Sequence, residues 1–407
     1  MEGNFRAHNE EVQRIWRTFY SGRPERMPMI LGVNPRYLLL DPRYNPKGIT
    51  FEQYFTDPEI MFHVQLEFQD FVRHHMWADH EMGVPEEGWS ITVDFQNVYE
   101  SAWLGAPVVF RDGNCPACAP LLDDDRKHLL FEKGVPDPFS GLMAKAREYT
   151  ERFNAIREKG FVYKGAPLAP VVPSVLYTDG PFTLACNLRG ADRFCLDIYE
   201  DPDFARQLLD FVTQATIQRL KAWRRYLGQA EIQPSLAFAD DSIAMLSPAM
   251  YREWVMPCHK RLIDALAHPD GDHAVHLCGN ASHLFGEMAA RLHVVSFDTG
   301  YPIDHRKVAQ ELGPAVQIQG GPTAGLLLSG SREEVAEETV RIIRAVKDVT
   351  RRFVLRDANN VSPGTPLENI RVMYDKVREE GVYETAEDES MTGSHRSLTV
   401  YRKGEAI

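Results

Sequence analysis

A chain of 407 residues with 44% hydrophobic and 25% charged side chains has ordinary globular composition, long enough for one large α/β barrel or a few smaller domains. Its net charge of −13 is carried by interspersed acidic and basic residues with no basic stripe, which argues against a nucleic-acid partner. No apolar run approaches a membrane span, Met1-Glu2-Gly3-Asn4 opens no signal-peptide stretch, and six cysteines make no disulfide framework in so long a chain, so a cytoplasmic protein with reduced thiols is expected.

Residues 1–25 read as an N-terminal helical extension. A strand is expected at Met27–Val33, a helix near 57–76 and a second strand at Ile91–Phe95. Residues 111–169 fit the rhythm poorly. They hold Cys115-Pro-Ala-Cys118, an acidic run at Asp123–Asp125 and a helix near Gly141–Lys159, and read as a rim insertion. The cysteine pair has no second CxxC and no thioredoxin-like surroundings, so a loop pair is the plainer reading. A strand at Val171–Tyr177 and a helix near 203–226 follow.

After residue 230 short apolar runs recur at Pro234–Phe238, Ala274–Leu277, Val294–Phe297, Val316–Ile318 and Phe353–Leu355. A polar or Gly-containing loop and an amphipathic helical pattern follow each one, the rhythm of βα units on a parallel sheet. Ser247-Pro248 reads as an N-cap with Pro at the first helical position. Ser331-Arg-Glu-Glu334 and Thr365-Pro-Leu-Glu368 read as capping boxes. About eight strand candidates suit a single (β/α)8, TIM-like barrel over residues 26–384, with a polar tail at 385–407. No G-x-G-x-x-G follows any strand, which speaks against an open dinucleotide-binding sheet.

In such a barrel the C-terminal strand ends carry the chemistry. Here they hold Asn34 and Arg36, Asp94 and Gln96, Asp240 and Asp241, His276 and Cys278, Asp298, Gln319, and Arg356 and Asp357. His276-Leu-Cys278 is the sharpest of these. Residues two apart on a strand share a face, so imidazole and thiolate can aim at one point, a combination zinc favours. Cys258 falls inside a helical pattern and reads as core. Asp240 and Asp241 are both candidates to touch substrate or metal, because Ser247 is better placed to cap the next helix.

The chain resembles the uroporphyrinogen decarboxylase superfamily over roughly residues 10–380. The resemblance is carried by Glu100-Ser-Ala-Trp-Leu-Gly105, Gly180-Pro-Phe-Thr-Leu184, Ala239-Asp-Asp-Ser with Leu246-Ser-Pro248, His276-Leu-Cys-Gly279, Gln319-Gly-Gly321 and Gly364-Thr-Pro-Leu-Glu-Asn-Ile370. It implies a (β/α)8 barrel, a homodimer, and one of two chemistries: porphyrinogen decarboxylation, or zinc-dependent corrinoid/thiol methyl transfer.

Against the decarboxylase branch, the arginine-rich segment after the first strand reads Gly32-Val-Asn-Pro-Arg-Tyr37, with Arg36 its single arginine. The aspartate of that branch falls on or near Gln96, and its Tyr and Ser partners fall on Asn187 and Asp241. The methyltransferase branch takes zinc with His-x-Cys and a later Cys. His276 and Cys278 match, while the later position is Asn359, a poorer zinc ligand than a thiolate.

The expectation is therefore a zinc-dependent methyl or alkyl transferase with a small-molecule substrate and a corrinoid donor on a separate protein. His276 and Cys278 are its metal ligands. Asp240, Asp241 or Asp357 completes the coordination or handles a proton. Asn34, Arg36, Gln96, Asn187, Gln319, Arg356 and Asn359 face substrate. Two rivals stand beside it: a metal-independent decarboxylase-branch enzyme using Arg36 and Arg356 for carboxylates, and a non-catalytic barrel that binds a tetrapyrrole or corrinoid.

Overall fold

A computed structural model describes residues 5–383; the start Met1–Asn4 and the tail expected at 385–407 lie outside the described residues. The barrel wall is built from short parallel strands: β1 (Thr92–Val93), β2 (Val172–Pro173), β3 (Ala237–Ala239), β4 (His273–His276), β5 (Val294–Asp298), β6 (Gln317–Gly320) and β7 (Phe353–Leu355). The last five form one sheet in the order β7-β6-β5-β4-β3. Every residue of β6 and β7 is buried, as expected of parallel strands covered on both faces.

Further contacts extend the wall on both sides. β1 pairs with β2 in parallel, and the Ala239 amide donates to the Thr178 carbonyl at 3.0 Å, joining β3 to the segment after β2. On the other side Met29 bridges Leu355 in parallel. The Ile30 amide donates to the Leu355 carbonyl at 2.9 Å, and the Leu355 amide to the Pro28 carbonyl at 2.8 Å. The full strand expected at Met27–Val33 is thus an extended stave tied at these points. Pro28 lies within it and Pro35 two residues beyond it, and neither has an N–H to give a ladder. Prolines also cut short the strand expected at Val171–Tyr177. Val172–Pro173 pair, and Ser174–Leu176 form a 3-10 turn.

Outside the ring, α1 (Arg6–Tyr20) buries Val12, Ile15 and Phe19 and forms the N-terminal extension. The helix α2 (Pro58–His75) is capped by Asp57, whose carboxylate accepts from the Glu59 and Ile60 amides. The next helix, α3 (Leu142–Glu158), corrects the rim reading of residues 111–169. It buries Met143, Ala146, Tyr149, Thr150 and Phe153 and packs on β1 and β2. It is the crossover helix that a right-handed βαβ connection needs. The true excursion ends before it and holds a small hairpin, Val108–Val109 with Ala117–Cys118, whose Cys115 and Cys118 are free thiols.

Helices α4 (Pro181–Arg189), α5 (Pro202–Tyr226), α6 (Met256–Leu266), α7 (Ser282–Leu292), α8 (His305–Leu312), α9 (Arg332–Lys347) and α10 (Leu367–Glu380) complete the outer layer. Two expected caps form. Ser247 accepts from the Met250 amide ahead of Pro248, and Ser331 with Glu334 makes a capping box. The box expected at Thr365-Pro-Leu-Glu368 does not form. Pro366 holds an extended conformation in the capping position, which leaves Thr365 a residue too early for its hydroxyl to reach the first turn. Among the described residues no helix is long and apolar enough to cross a membrane.

Candidate metal centre

The register of the sheet assembles the site. Ala239 pairs with His276, His276 with Asp298 and Asp298 with Gln319, so four neighbouring strands end at one level. Partners in a parallel ladder present their side chains to the same face. His276 and Asp298 therefore meet, and the Nδ1–H of His276 donates to Asp298 Oδ2 at 2.5 Å. That leaves Nε2 pointing at Cys278, 3.2 Å from its Sγ.

Just past β4 Cys278 lies against the chain leaving β5, where a Cβ on Gly300 would lie 2.0 Å from the Cys278 carbonyl oxygen. Glycine permits that approach. The Cys278 amide donates to Asp241 Oδ1 at 2.7 Å. As a result Asp241, His276 and Cys278 each offer a ligand atom within 4.8 Å of the others, and all three are half-buried. Zinc holds such atoms about 2.0–2.3 Å away, so the edges of its tetrahedron are about 3.5 Å long. Nε2 and Sγ already lie at close to that spacing. The donor set fits a catalytic zinc with one position open.

Electrostatics agree with a cation at this point. Burial, then the charges of Asp241, Asp298 and Asp179, push the Cys278 thiol well above the ordinary range. Burial opposes charge on His276, but the hydrogen bond and charge of Asp298 outweigh it and raise its pKa. A divalent ion would reverse the balance at the thiol.

Adjacent aspartates play different parts. Asp240 is fully buried and accepts from the Phe182 and Thr183 amides, the Thr183 hydroxyl and Nε2 of His259. Expected as a catalytic candidate, it is instead an anchor at the start of α4. It fixes the chain just past β3, where the 3-10 turn Asp241–Met245 begins and presents Asp241.

Asp357 is buried, its Oδ1 accepts from the Gly32 amide at 2.7 Å, and it lies outside the three-residue cluster. Arg356 is 3% exposed. Its Nη1 pairs with Asp298, and its other nitrogens donate to the Asn359 and Asp357 carbonyls, so its expected substrate contact gives way to an internal strut.

Several of the other expected residues form one polar chain across the mouth. Asn359 Oδ1 lies 3.3 Å from Cys278 Sγ and accepts from Asn360 at 3.3 Å. Asn34 Nδ2 reaches Asn360 at 3.4 Å, and Asn34 Oδ1 accepts from the Arg36 amide at 3.0 Å. The Arg36 guanidinium donates to Gln96 at 2.5 Å, and Gln96 donates to Asp94. Gln96 sits at φ 52, a strained conformation for a residue with a side chain.

Gln319 is buried at the same level, and its carbonyl accepts from the Thr299 hydroxyl. Asn187 lies half-buried on α4, outside this hydrogen-bond chain among the described residues. Two carboxylates at the mouth have no role assigned from the sequence. Asp298 was visible as a strand-end residue, but its partner required the register. Asp179, whose amide donates to Glu100, follows an irregular turn that periodicity does not reveal.

The family model for uroporphyrinogen decarboxylase (URO-D) matches residues 91–380. A methylated-thiol–coenzyme M methyltransferase of Methanosarcina mazei is 28% identical over 225 residues, which cover 54% of this chain and 57% of that protein. A uroporphyrinogen decarboxylase of Anaeromyxobacter sp. is 27% identical over 217 residues, 52% of this chain and 60% of that protein. The chain thus spans less than two thirds of the length of these curated relatives. A solved methyltransferase from Methanosarcina mazei shares the fold with a TM-score of 0.60 at 18% identity, covering 90% of this chain and 98% of that one. With the family model matched over residues 91–380 and the fold shared with that solved structure, the chain belongs to the uroporphyrinogen decarboxylase family, and its fold is that family's (β/α)8 barrel.

Proposed function

We propose that this protein is a methyltransferase that holds zinc with His276, Cys278 and Asp241 and passes a methyl group, delivered by a corrinoid on a separate protein, to a thiol or similar small acceptor. One observation carries the reading: an imidazole nitrogen, a thiol sulfur and a carboxylate oxygen converge at the C-terminal mouth of the barrel. A methyltransferase among its relatives supports the same class of chemistry.

Bound there, zinc supplies the charge that keeps a coordinated sulfur deprotonated near neutral pH. The chain's own residues do the rest. Asp298 keeps the proton of His276 on Nδ1, so Nε2 presents its lone pair. Asp241 accepts from the Cys278 amide and holds the sulfur-bearing turn in place. Held by these three residues, a tetrahedral zinc would have room for the acceptor's sulfur. In the transfer the acceptor would give its proton to water and its sulfur would bond to the methyl carbon. The methyl–donor bond would break, with its electron pair staying on the donor.

A metal-free decarboxylase is the weaker reading, since Arg356 is spent inside the protein rather than on a substrate carboxylate.

The test is zinc content of protein purified without added metal, beside His276→Ala and Cys278→Ala. About one zinc per chain is expected in the wild type, with loss in both variants and a parallel loss of methylcobalamin-to-thiol turnover. Full turnover by zinc-free wild type contradicts the proposal.

A further inference from the structure

Asp298 closes β5 directly beside His276 and is 5% exposed. Its Oδ2 takes two donors of different kinds, the Nδ1–H of His276 at 2.5 Å and Nη1 of Arg356. Arg356 passes the constraint on. Its Nη2 donates to the Asn359 carbonyl at 2.7 Å and its Nε to the Asp357 carbonyl at 3.1 Å. That loop carries the Asn359 amide, whose Oδ1 stands 3.3 Å from Cys278 Sγ. The fit is tight. A Cβ on Gly32 would lie 2.1 Å from Arg356 Nη2 and 2.4 Å from the Asn359 carbonyl oxygen.

We propose that Asp298 is the positioning residue of the metal centre, fixing Nε2 of His276 as the ligand atom and, through Arg356, holding the 357–360 loop against Cys278. The inference rests on the zinc reading of the same site and adds a residue to it. An imidazole that donates Nδ1–H to a carboxylate has its lone pair on Nε2, held in one ring orientation. Without that acceptor the proton is shared between the two nitrogens and the ring can turn. The same loss would release Arg356, and with it the loop on the far side of the thiol. A plain ion-pair brace between β5 and β7 would instead affect unfolding and leave the metal's surroundings unchanged.

The experiment titrates zinc alone against a competing chelator, and records the absorption of the cobalt(II)-substituted protein, for wild type, Asp298→Ala and Asp298→Asn. Asp298→Ala is expected to lose about 10–100-fold in zinc affinity and to change the cobalt ligand-field bands. Asp298→Asn keeps an oxygen acceptor without the charge and should lose less. It also carries the test if the alanine variant does not unfold cooperatively. A folded variant with wild-type zinc affinity and an unchanged cobalt spectrum overturns the positioning role. Wild type that binds neither metal, or whose sulfur-to-cobalt band survives Cys278→Ala, overturns the zinc reading itself and this inference with it.

Discussion

At Cys278 a low-dielectric environment and three carboxylates act on one thiol, and all of them oppose a thiolate. The metal-free protein is therefore expected to hold a neutral thiol there. Asp357 shows the same physics on a group with no ion to gain. Its Oδ2 has no hydrogen-bond partner among the described residues, and burial pushes its pKa up to about 7. An acid with a folded pKa above its unfolded value of about 3.9 binds its proton more tightly when folded. Its contribution is full below about pH 4, is lost as pH rises towards about 7, and stays lost above that.

Asp357→Asn keeps an acceptor for the Gly32 amide and removes that loss. The variant should gain on the order of 1–3 kcal/mol over wild type between about pH 5 and about pH 8, read from urea unfolding at both. The same pH dependence in both proteins would contradict it. Part of this site was legible in the sequence. His276 and Cys278 are legible because an i, i+2 pair is a local feature, whereas Asn359 is singled out only by the family resemblance. The division of labour between Asp240 and Asp241 was not legible. Which of two adjacent side chains faces the mouth depends on the register and the bend after β3, and both are set by distant residues.

At the scale of elements, the site depends on how tightly the strand ends approach the helix starts. Gly180 opens α4 at φ 82, and a Cβ there would meet the Ala239 carbonyl oxygen at 2.2 Å and the Asp240 Cβ at 2.5 Å. Gly180→Ala should therefore combine backbone strain with a clash and cost about 2–4 kcal/mol in thermal or urea unfolding. It should also weaken zinc binding, because Asp240 anchors the turn that presents Asp241. An alanine variant of wild-type stability would contradict this close packing. The helices were more legible than the early strands. Caps such as Ser247 and Ser331 act within one turn, whereas the strands near residues 27–33 and 171–177 are broken by prolines and held by a few long-range contacts.

For the whole molecule, the barrel is a device for levelling strand ends. Residues far apart in the chain, from Asn34 to Asn359, come to one mouth because each strand contributes its C-terminal residues there. In the sequence the helix at Leu142–Glu158 reads as part of a rim insertion because its flanks hide the βα rhythm. Its burial on β1 and β2 returns it to the ring. A metal centre of His276, Cys278 and Asp241 at that mouth is the central claim. X-ray absorption at the zinc edge of the zinc-loaded protein tests it most directly. The wild type should show one sulfur at about 2.3 Å with nitrogen and oxygen neighbours at about 2.0–2.2 Å. Asn359→Cys, whose position already faces the Cys278 sulfur at 3.3 Å, should add a second sulfur. Zinc surrounded by nitrogen and oxygen alone, or a spectrum unchanged in Cys278→Ala, would contradict the account.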